Sequence, residues 1–598
     1  MKREHDKWPA RPAGTRWATI AGISGAVALF GIACGAVGAP LPVNRSWLVR
    51  LGGCGLVVPL AVVTWRSVRM NRAWDAVGVL TSTALVGGVW FMFLVAAYRV
   101  ACLLALPVDL LSYSEAGFVN DILRIRLGLP IYAPPLENQS TVYTPGSPVL
   151  TGWVAGLFSD SLDIPVLRAV QFGYVILAAA AATAAADRLA RLVTPDQYRE
   201  SWRWIIWWAP MFFMVAIDPL FNPYTPSLNS DGLALCVSMI AFLLMTQHAL
   251  APRDWHLVAM AVLPAAGFFV KQNLLAWVGL FSLYLLLARE SRFRAVVIFS
   301  AAAGLLGLGA IAAAYWLWGP DFWFWAFTSY SAKAISLPRS GQHLLAAGSY
   351  LALGLAAGWM LLRRPLEGGD RRAMAAWVVW LALIVLQAYT SGFAWALNHL
   401  GPSVLMAAVW FAVTAVSIWP RENQFHETWR LAIGQGLATG LVLGVLGGLG
   451  FAREPRTPVP RDLPRYVAAI EAEFARADPS RILMDQGSWI YAQRRIVMKD
   501  RGYATHVHLE PNQPIAHAML ADTIHRIQQG VYDKILVREL DAGRSSYDFL
   551  NRGTGLREAI HQHYKELRRI PAVENVGEWW PPHMLGEVQV FERRGDGR

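Results

Sequence analysis

Thirteen long apolar runs follow one another between residues 17 and 451, and no water-soluble fold buries that much nearly unbroken hydrophobic chain. They cover 17–40, 46–65, 76–98, 164–186, 204–221, 232–249, 256–270, 274–288, 295–318, 343–362, 373–391, 400–419 and 430–451. A membrane span needs about 20 apolar residues, so 256–270 and 274–288 are short. They read as broken or steeply placed helices, which membranes tolerate where they line a cavity. The expected fold is an α-helical multi-pass membrane protein of about 13 transmembrane helices with a small soluble α/β domain at its C-terminus. Only 16% of the 598 residues are charged, against roughly 25% in an average soluble protein. With a mean hydropathy of +0.36, that excludes disordered, collagen-like and single soluble-domain chains.

The net charge of +12 raises nucleic-acid binding as a function. The placement of the charges argues against it. With a cytoplasmic N-terminus, the loops on that side hold 22 Lys and Arg and the opposite loops hold 6. That asymmetry is the positive-inside signature of membrane topology. An odd number of spans then puts residues 454–598 on the non-cytoplasmic side. Cys34, Cys54, Cys102 and Cys236 all sit in apolar segments, so neither a disulfide framework nor a CxxC site is expected. The first apolar run is too long, and too closely followed by others, for a cleavable signal peptide.

Polar residues are sparse on the outer side, and they converge. The long loop 107–163 opens with Asp109, Glu115 and Asp121, continues through Arg124, Arg126 and Gly128-Leu-Pro-Ile-Tyr132, and reaches Tyr143-Thr-Pro-Gly-Ser-Pro148. Spacings of six residues do not stack the three acids on one helical face. Solvation of the loop, or pairing with Arg124 and Arg126, is the plain account of them. The apolar stretch 149–158 is too short to span and is expected to lie along the interface. Further along, Asp218 ends one span. Asn229, Ser230 and Asp231 open the next, with Ser230 or Asn229 as N-cap. Lys271-Gln272-Asn273 separates the two short apolar helices, and Asn398-His399 stands where an outer loop meets a span. Ionisable groups at a membrane edge are costly and point to function, Lys271 most of all, although lysines also snorkel to the interface.

In this order, the outer-loop acid, Gly128 to Tyr132, Tyr143-Thr-Pro, Ser230-Asp-Gly-Leu-Ala234 and Lys271-Gln272 resemble the GT-C superfamily of membrane glycosyltransferases, which includes protein O-mannosyltransferases and aminoarabinose transferases. The resemblance covers most of 76–420. It implies a GT-C-like catalytic core over 76–453, two accessory spans within 1–75, and a separate extracytoplasmic domain over 454–598, in a bacterial inner membrane. It also implies a sugar donor carried on polyprenyl phosphate and transfer to a lipid, glycan or protein acceptor at the outer face. An acid of the first outer loop then acts on the acceptor hydroxyl: Glu115 by preference, because it lies further from the span, or Asp109. Lys271, Arg124 and Arg126 become candidates for the donor phosphate. Asp121, Tyr143, Asp218, Asp231, Gln272, Asn398 and His399 become candidates for substrate binding. Hard carboxylate oxygens also suit Mg2+ or Mn2+. On this reading Asp109 or Glu115 faces Lys271 across a cavity.

Two further regions add less. Tyr315 to Tyr330, with four tryptophans, reads as an interfacial aromatic belt or as a wall for a prenyl chain or sugar. The tail shows strand-like runs at 481–485, 534–538 and 588–591 and helix-like runs at 515–529 and 554–567, after a Pro-rich linker. His506, His508, His561 and His563 read as surface residues rather than metal ligands. The rival functional class is a transporter or lipid flippase, which broken helices would also suit.

Overall fold

The computed structural model describes residues 93, 96–97, 100–134, 136, 143–159, 162–193, 208–218, 221–222, 224–225, 227–288, 293–329, 335–362, 368–392, 397–418, 459–485, 487–497, 514–538, 540, 555–574 and 585–595. The expected spans 17–40, 46–65 and 430–451, most of 76–98, and the His506–His508 pair lie outside them. The chain forms two compact units. One takes in Met1–Arg99, Ile205–Met214 and Ile418–Thr457, and among its described residues Phe93 meets Phe213 edge-on at 4.9 Å. The other takes in Val100–Trp204, Val215–Ser417 and Pro458–Arg598 and holds the residues of the candidate site and of the tail.

Five helical stretches among the described residues are long and apolar enough to cross a membrane: Ile164–Val193, Asp231–Leu250, Val296–Thr328, Gly369–Ser391 and Leu397–Thr414. The elements run α1 (Tyr113–Arg126), α2 (Gly146–Gly156), α3 (Ile164–Val193), α4 (Ala209–Ala216), α5 (Asp231–Leu250), α6 (Asp254–Val270), α7 (Trp277–Ala288), α8 (Phe293–Trp323), α9 (Leu337–Leu362), α10 (Gly368–Ser391) and α11 (Gly401–Ile418). Helix α3 packs along α5, α6 along α8, and α10 against both α7 and α9. α8 keeps most of its apolar surface outward, as a helix facing hydrocarbon does.

The interruptions matter more than the helices. Lys271 is a single extended residue (φ −158°, ψ 131°) between α6 and a 3-10 turn, Gln272–Ala276, that leads into α7. Helix α2 has 11 residues, about 16 Å at 1.5 Å per residue, and so cannot span. It buries Ser147, Pro148 and Thr151 and exposes Trp153, Leu157 and Phe158, which fits a helix lying along an interface.

The tail is a small α/β layer. Its elements are α12 (Leu463–Phe474), β1 (Ile482–Met484), α13 (Trp489–Gln493), α14 (Pro514–Gln528), β2 (Lys534–Arg538), α15 (Leu556–His563), β3 (Tyr564–Ile570) and β4 (Val588–Arg593). The sheet order is β1-β2-β4-β3, with β1 and β2 parallel and the other pairs antiparallel. The helix expected over 554–567 ends at His563. Tyr564 to Ile570 pairs with β4 instead, because its ends, Tyr564 and Ile570, are buried while Lys565, Arg568 and Arg569 stay out. Charged side chains on that edge strand discourage further strand pairing.

The tail does not stand apart from the membrane part. Leu106, Val108, Leu110 and Phe118 from the first outer loop share one apolar cluster with Tyr466, Ile470, Trp489 and Val590 from the tail. A second cluster joins Tyr132 and Trp325 to Met519 of α14. The aromatic stretch 315–330 therefore serves partly as core: the Trp325 indole N–H donates to the Ala133 carbonyl at 2.8 Å.

Candidate active site

Four separate segments meet at Asp231. The Asn229 side-chain oxygen accepts the Asp231 backbone N–H at 2.7 Å. It thus fixes the first turn of α5, where a negative charge is favoured by the helix dipole. The Lys271 ammonium then reaches Asp231 Oδ1 at 2.5 Å. The Asn398 amide donates to Asp231 Oδ2 at 3.2 Å, and His399 lies within electrostatic range of the same carboxylate. Tyr143 closes the far side, its ring centroid 5.3 Å from the Lys271 ammonium, and Tyr224 is near enough to feel that charge. Gln272 turns away and donates to the Ala326 carbonyl at 3.1 Å, tying the 3-10 turn to the aromatic stretch.

The acids of the outer loop sit elsewhere. Glu115 is wholly buried and accepts four hydrogen bonds: two from Arg168 at 2.8 and 2.9 Å, one from Leu111 N–H and one from Leu228 N–H, both 2.9 Å. That uses every acceptor position a carboxylate has. Arg168 in turn donates to the carbonyls of Leu103, Leu106 and Val108. Glu115 and Arg168 therefore form a clamp that fixes the loop onto α3. Asp109 is also buried and accepts from Ser488 N–H (2.7 Å), Ser488 Oγ–H (2.6 Å) and Trp489 N–H (3.1 Å), so it caps α13 of the tail. Burial pushes the Asp109 carboxyl up; the Ser488 hydroxyl bond opposes this, and the charge of Glu115 adds to the rise.

The expectation that Asp109 or Glu115 faces Lys271 is thus corrected: Asp231 does. Glu115 is drawn to the buried guanidinium of Arg168, a stronger partner than solvent, and Asp109 is drawn to the tail. Arg124 and Arg126 make backbone contacts, Arg124 Nε with the Pro130 carbonyl at 2.6 Å and Arg126 Nη2 with the Gly152 carbonyl at 3.3 Å. Asp121 is buried near Tyr132, whose hydroxyl donates to the Tyr143 carbonyl at 2.7 Å; burial first, and the Asp121 charge second, push that phenol well up. Asp218 accepts from the Tyr350 hydroxyl at 2.9 Å. Of the predicted residues, then, Tyr143, Asp231, Lys271, Asn398 and His399 come together. Sequence reasoning passed over Arg168, Tyr224 and Ser488. Arg168 carried a signal, being a charge inside an apolar run; Ser488 carried none.

Asp231 is left partly open, its side chain 23% exposed, whereas Glu115, Asp109 and Asp218 are fully covered. No group of three His, Cys, Asp or Glu suited to a metal occurs among the described residues. The Lys271 ammonium takes the side of Asp231 where a dication would bind, so these residues do not fit Mg2+ or Mn2+ well.

No family model matches the chain, and no curated protein matches it. Solved structures similar to it include the following two. The Archaeoglobus fulgidus oligosaccharyltransferase, tethered to an acceptor peptide, is 11% identical with a TM-score of 0.46, over 79% of this chain and 72% of that one. The arabinofuranosyltransferase AftD from Mycobacteria is 13% identical with a TM-score of 0.47, over 85% of this chain and 40% of that one. The chain thus spans two fifths of the AftD length.

Proposed function

We propose that the protein is an integral-membrane glycosyltransferase that moves a sugar from a polyprenyl-phosphate donor to a hydroxyl acceptor at the outer face of the inner membrane. The observation that carries this is the largely buried, partly open Asp231–Lys271 pair, drawn from two helix ends and braced by Asn398 and His399. The pair holds a base and a cation side by side in a poorly hydrated place. A donor phosphate entering there competes for the Lys271 ammonium and releases Asp231. The acceptor oxygen then bonds to the anomeric carbon as the bond from that carbon to the phosphate oxygen breaks. Asp231 takes the acceptor proton, and Lys271, with His399, neutralises the departing phosphate. General-base help is worth about 10²–10⁴-fold, and a positive group aimed at developing charge about 10²–10³-fold. The shared cluster of outer loop and tail supports an extracytoplasmic tail, because both must lie on one side of the membrane.

The test is purified full-length protein in lipid nanodiscs with a panel of polyprenyl-phosphate sugars, scored by release of polyprenyl phosphate. The expected result is turnover with at least one donor, reduced about 10²–10⁴-fold by Asp231→Asn and about 10²–10³-fold by Lys271→Ala. Turnover unchanged in Asp231→Asn would remove the base; absence of turnover with every donor would remove the transferase.

A further inference from the structure

Beside the ion pair lies a second group of polar side chains, all uncharged. Gln171, on α3, donates to Thr151 Oγ1 at 2.8 Å and to Ser147 Oγ at 3.4 Å, both on α2. Tyr174, one turn further along α3, brings its hydroxyl beside Thr151. Thr144 precedes α2 in the Tyr143-Thr-Pro motif. All five are at least nine-tenths buried. Two of their atoms, Thr144 Oγ1 and Gln171 Oε1, have no hydrogen-bond partner among the described residues.

Two glycines bind this group to the ion pair. A Cβ on Gly232, the residue after Asp231, would lie 3.3 Å from the unpartnered Gln171 Oε1. A Cβ on Gly146, at the start of α2, would lie 2.4 Å from the Phe269 carbonyl oxygen, two residues before Lys271. The cluster is therefore held between the Asp231 turn and the Lys271 turn. Buried polar atoms in native proteins are nearly always satisfied, so two orphans together, next to a reactive pair, signal an absent hydrogen-bonding partner. Hydroxyls and one amide, with no cation among them, match a neutral polyol; a phosphate would call for positive charge.

We infer that Thr144, Ser147, Thr151, Gln171 and Tyr174 form the subsite that reads the hydroxyl groups of the transferred sugar, which deepens the transferase reading above and rests on it. Gln171 Oε1 accepts from a sugar hydroxyl, and the Tyr174 and Thr144 hydroxyls donate or accept as the ring requires. Specificity follows because a sugar lacking the matching hydroxyl leaves these groups unpaired again.

The test separates the subsite from the chemistry. Full-length protein in nanodiscs is examined by ligand-detected saturation-transfer NMR with free glucose, mannose, galactose and arabinose, and with sorbitol as an open-chain control. The wild type should saturate at least one sugar and not sorbitol. Tyr174→Phe, which deletes only the hydroxyl, should weaken that sugar, and Gln171→Leu with Thr151→Val should raise its Kd about tenfold or more. Thr151→Ser should restore binding relative to Thr151→Val, and Lys271→Ala should leave saturation intact. The subsite is overturned if the wild type saturates no sugar, or if Tyr174→Phe and a folded Gln171/Thr151 double variant bind with unchanged Kd. Sugar binding without any donor turnover would leave the subsite and remove the transferase; turnover without sugar saturation would do the reverse.

Discussion

Glu115 and Asp231 are both carboxylates at the same end of the helical bundle, yet their substitutions should read out differently. Glu115→Gln strips charge from a wholly buried pair and leaves the Arg168 guanidinium without its counter-ion. Breaking such a pair from one side costs about 3–5 kcal/mol, so the expected outcome is a lower thermal unfolding midpoint and poor yield in detergent. Asp231→Asn keeps a hydrogen-bonding group of the same shape at a position 23% exposed. It should lower the unfolding midpoint less than Glu115→Gln does, while turnover falls. Measuring both midpoint and turnover for the two variants separates clamp from site, and a Glu115→Gln protein as stable as wild type would refute the clamp. Which acid stayed partly exposed was not legible in the sequence. Glu115 and Arg168 stand 53 residues apart, and nothing local tells that they meet. By contrast Asp231, Lys271, Asn398 and His399 stood out as polar breaks in apolar runs, because a membrane penalises such groups wherever they sit.

At the scale of elements, the site depends on where helices stop. The Gly146→Ala methyl would fall 2.4 Å from the Phe269 carbonyl, well inside contact distance, and that carbonyl is backbone that cannot swing aside. α2 must then move away from the Lys271 turn. Overpacking of this kind costs about 1–3 kcal/mol. The expected result is a drop in midpoint of that size together with a larger loss of turnover than Gly173→Ala, whose Cβ would meet nothing within 4 Å. Helix positions were legible to within two residues in α5 and α6, and α3 starts where its apolar run does but continues to Val193, past the expected end at 186. The β3 strand was not. Tyr564-Lys-Glu-Leu-Arg-Arg-Ile carries good helix formers directly after a true helix, and only the partner strand β4, more than a dozen residues on, decides its state. In the same sheet region, burial alone would raise the Glu473 carboxyl, but Lys534 at 2.7 Å and Arg568 hold it below its ordinary value of 4.5. A depressed carboxyl contributes stability above its unfolded pKa and loses it as pH falls through the folded one. The tail should therefore loosen as pH drops below about 4.5. Glu473→Gln should flatten that part of the midpoint-versus-pH profile; an unchanged profile would show that the pair does not couple to folding.

For the whole molecule, the tail is a structural partner of the first outer loop rather than an appendage. Ser488→Ala removes one of the three donors to Asp109 and leaves a buried acid short of a bond. That should cost about 1–3 kcal/mol in the unfolding of the full-length protein. Deleting 459–598 should be far worse, because Leu106, Val108, Leu110 and Phe118 would lose the side chains that cover them; a monodisperse, normally melting truncation would disprove the shared core.

That shared core also sets a timetable. Asp109 and Ser488 are 379 residues apart in the chain. At about 5–20 residues per second of synthesis, the outer loop emerges roughly 20–80 s before the strand and helix that complete it. For that interval a half-built apolar surface and a buried-to-be carboxylate wait outside the bilayer. Biogenesis of this protein therefore has a built-in delay during which a holding chaperone on the loop's side of the membrane, or the membrane surface itself, must shield residues 103–122.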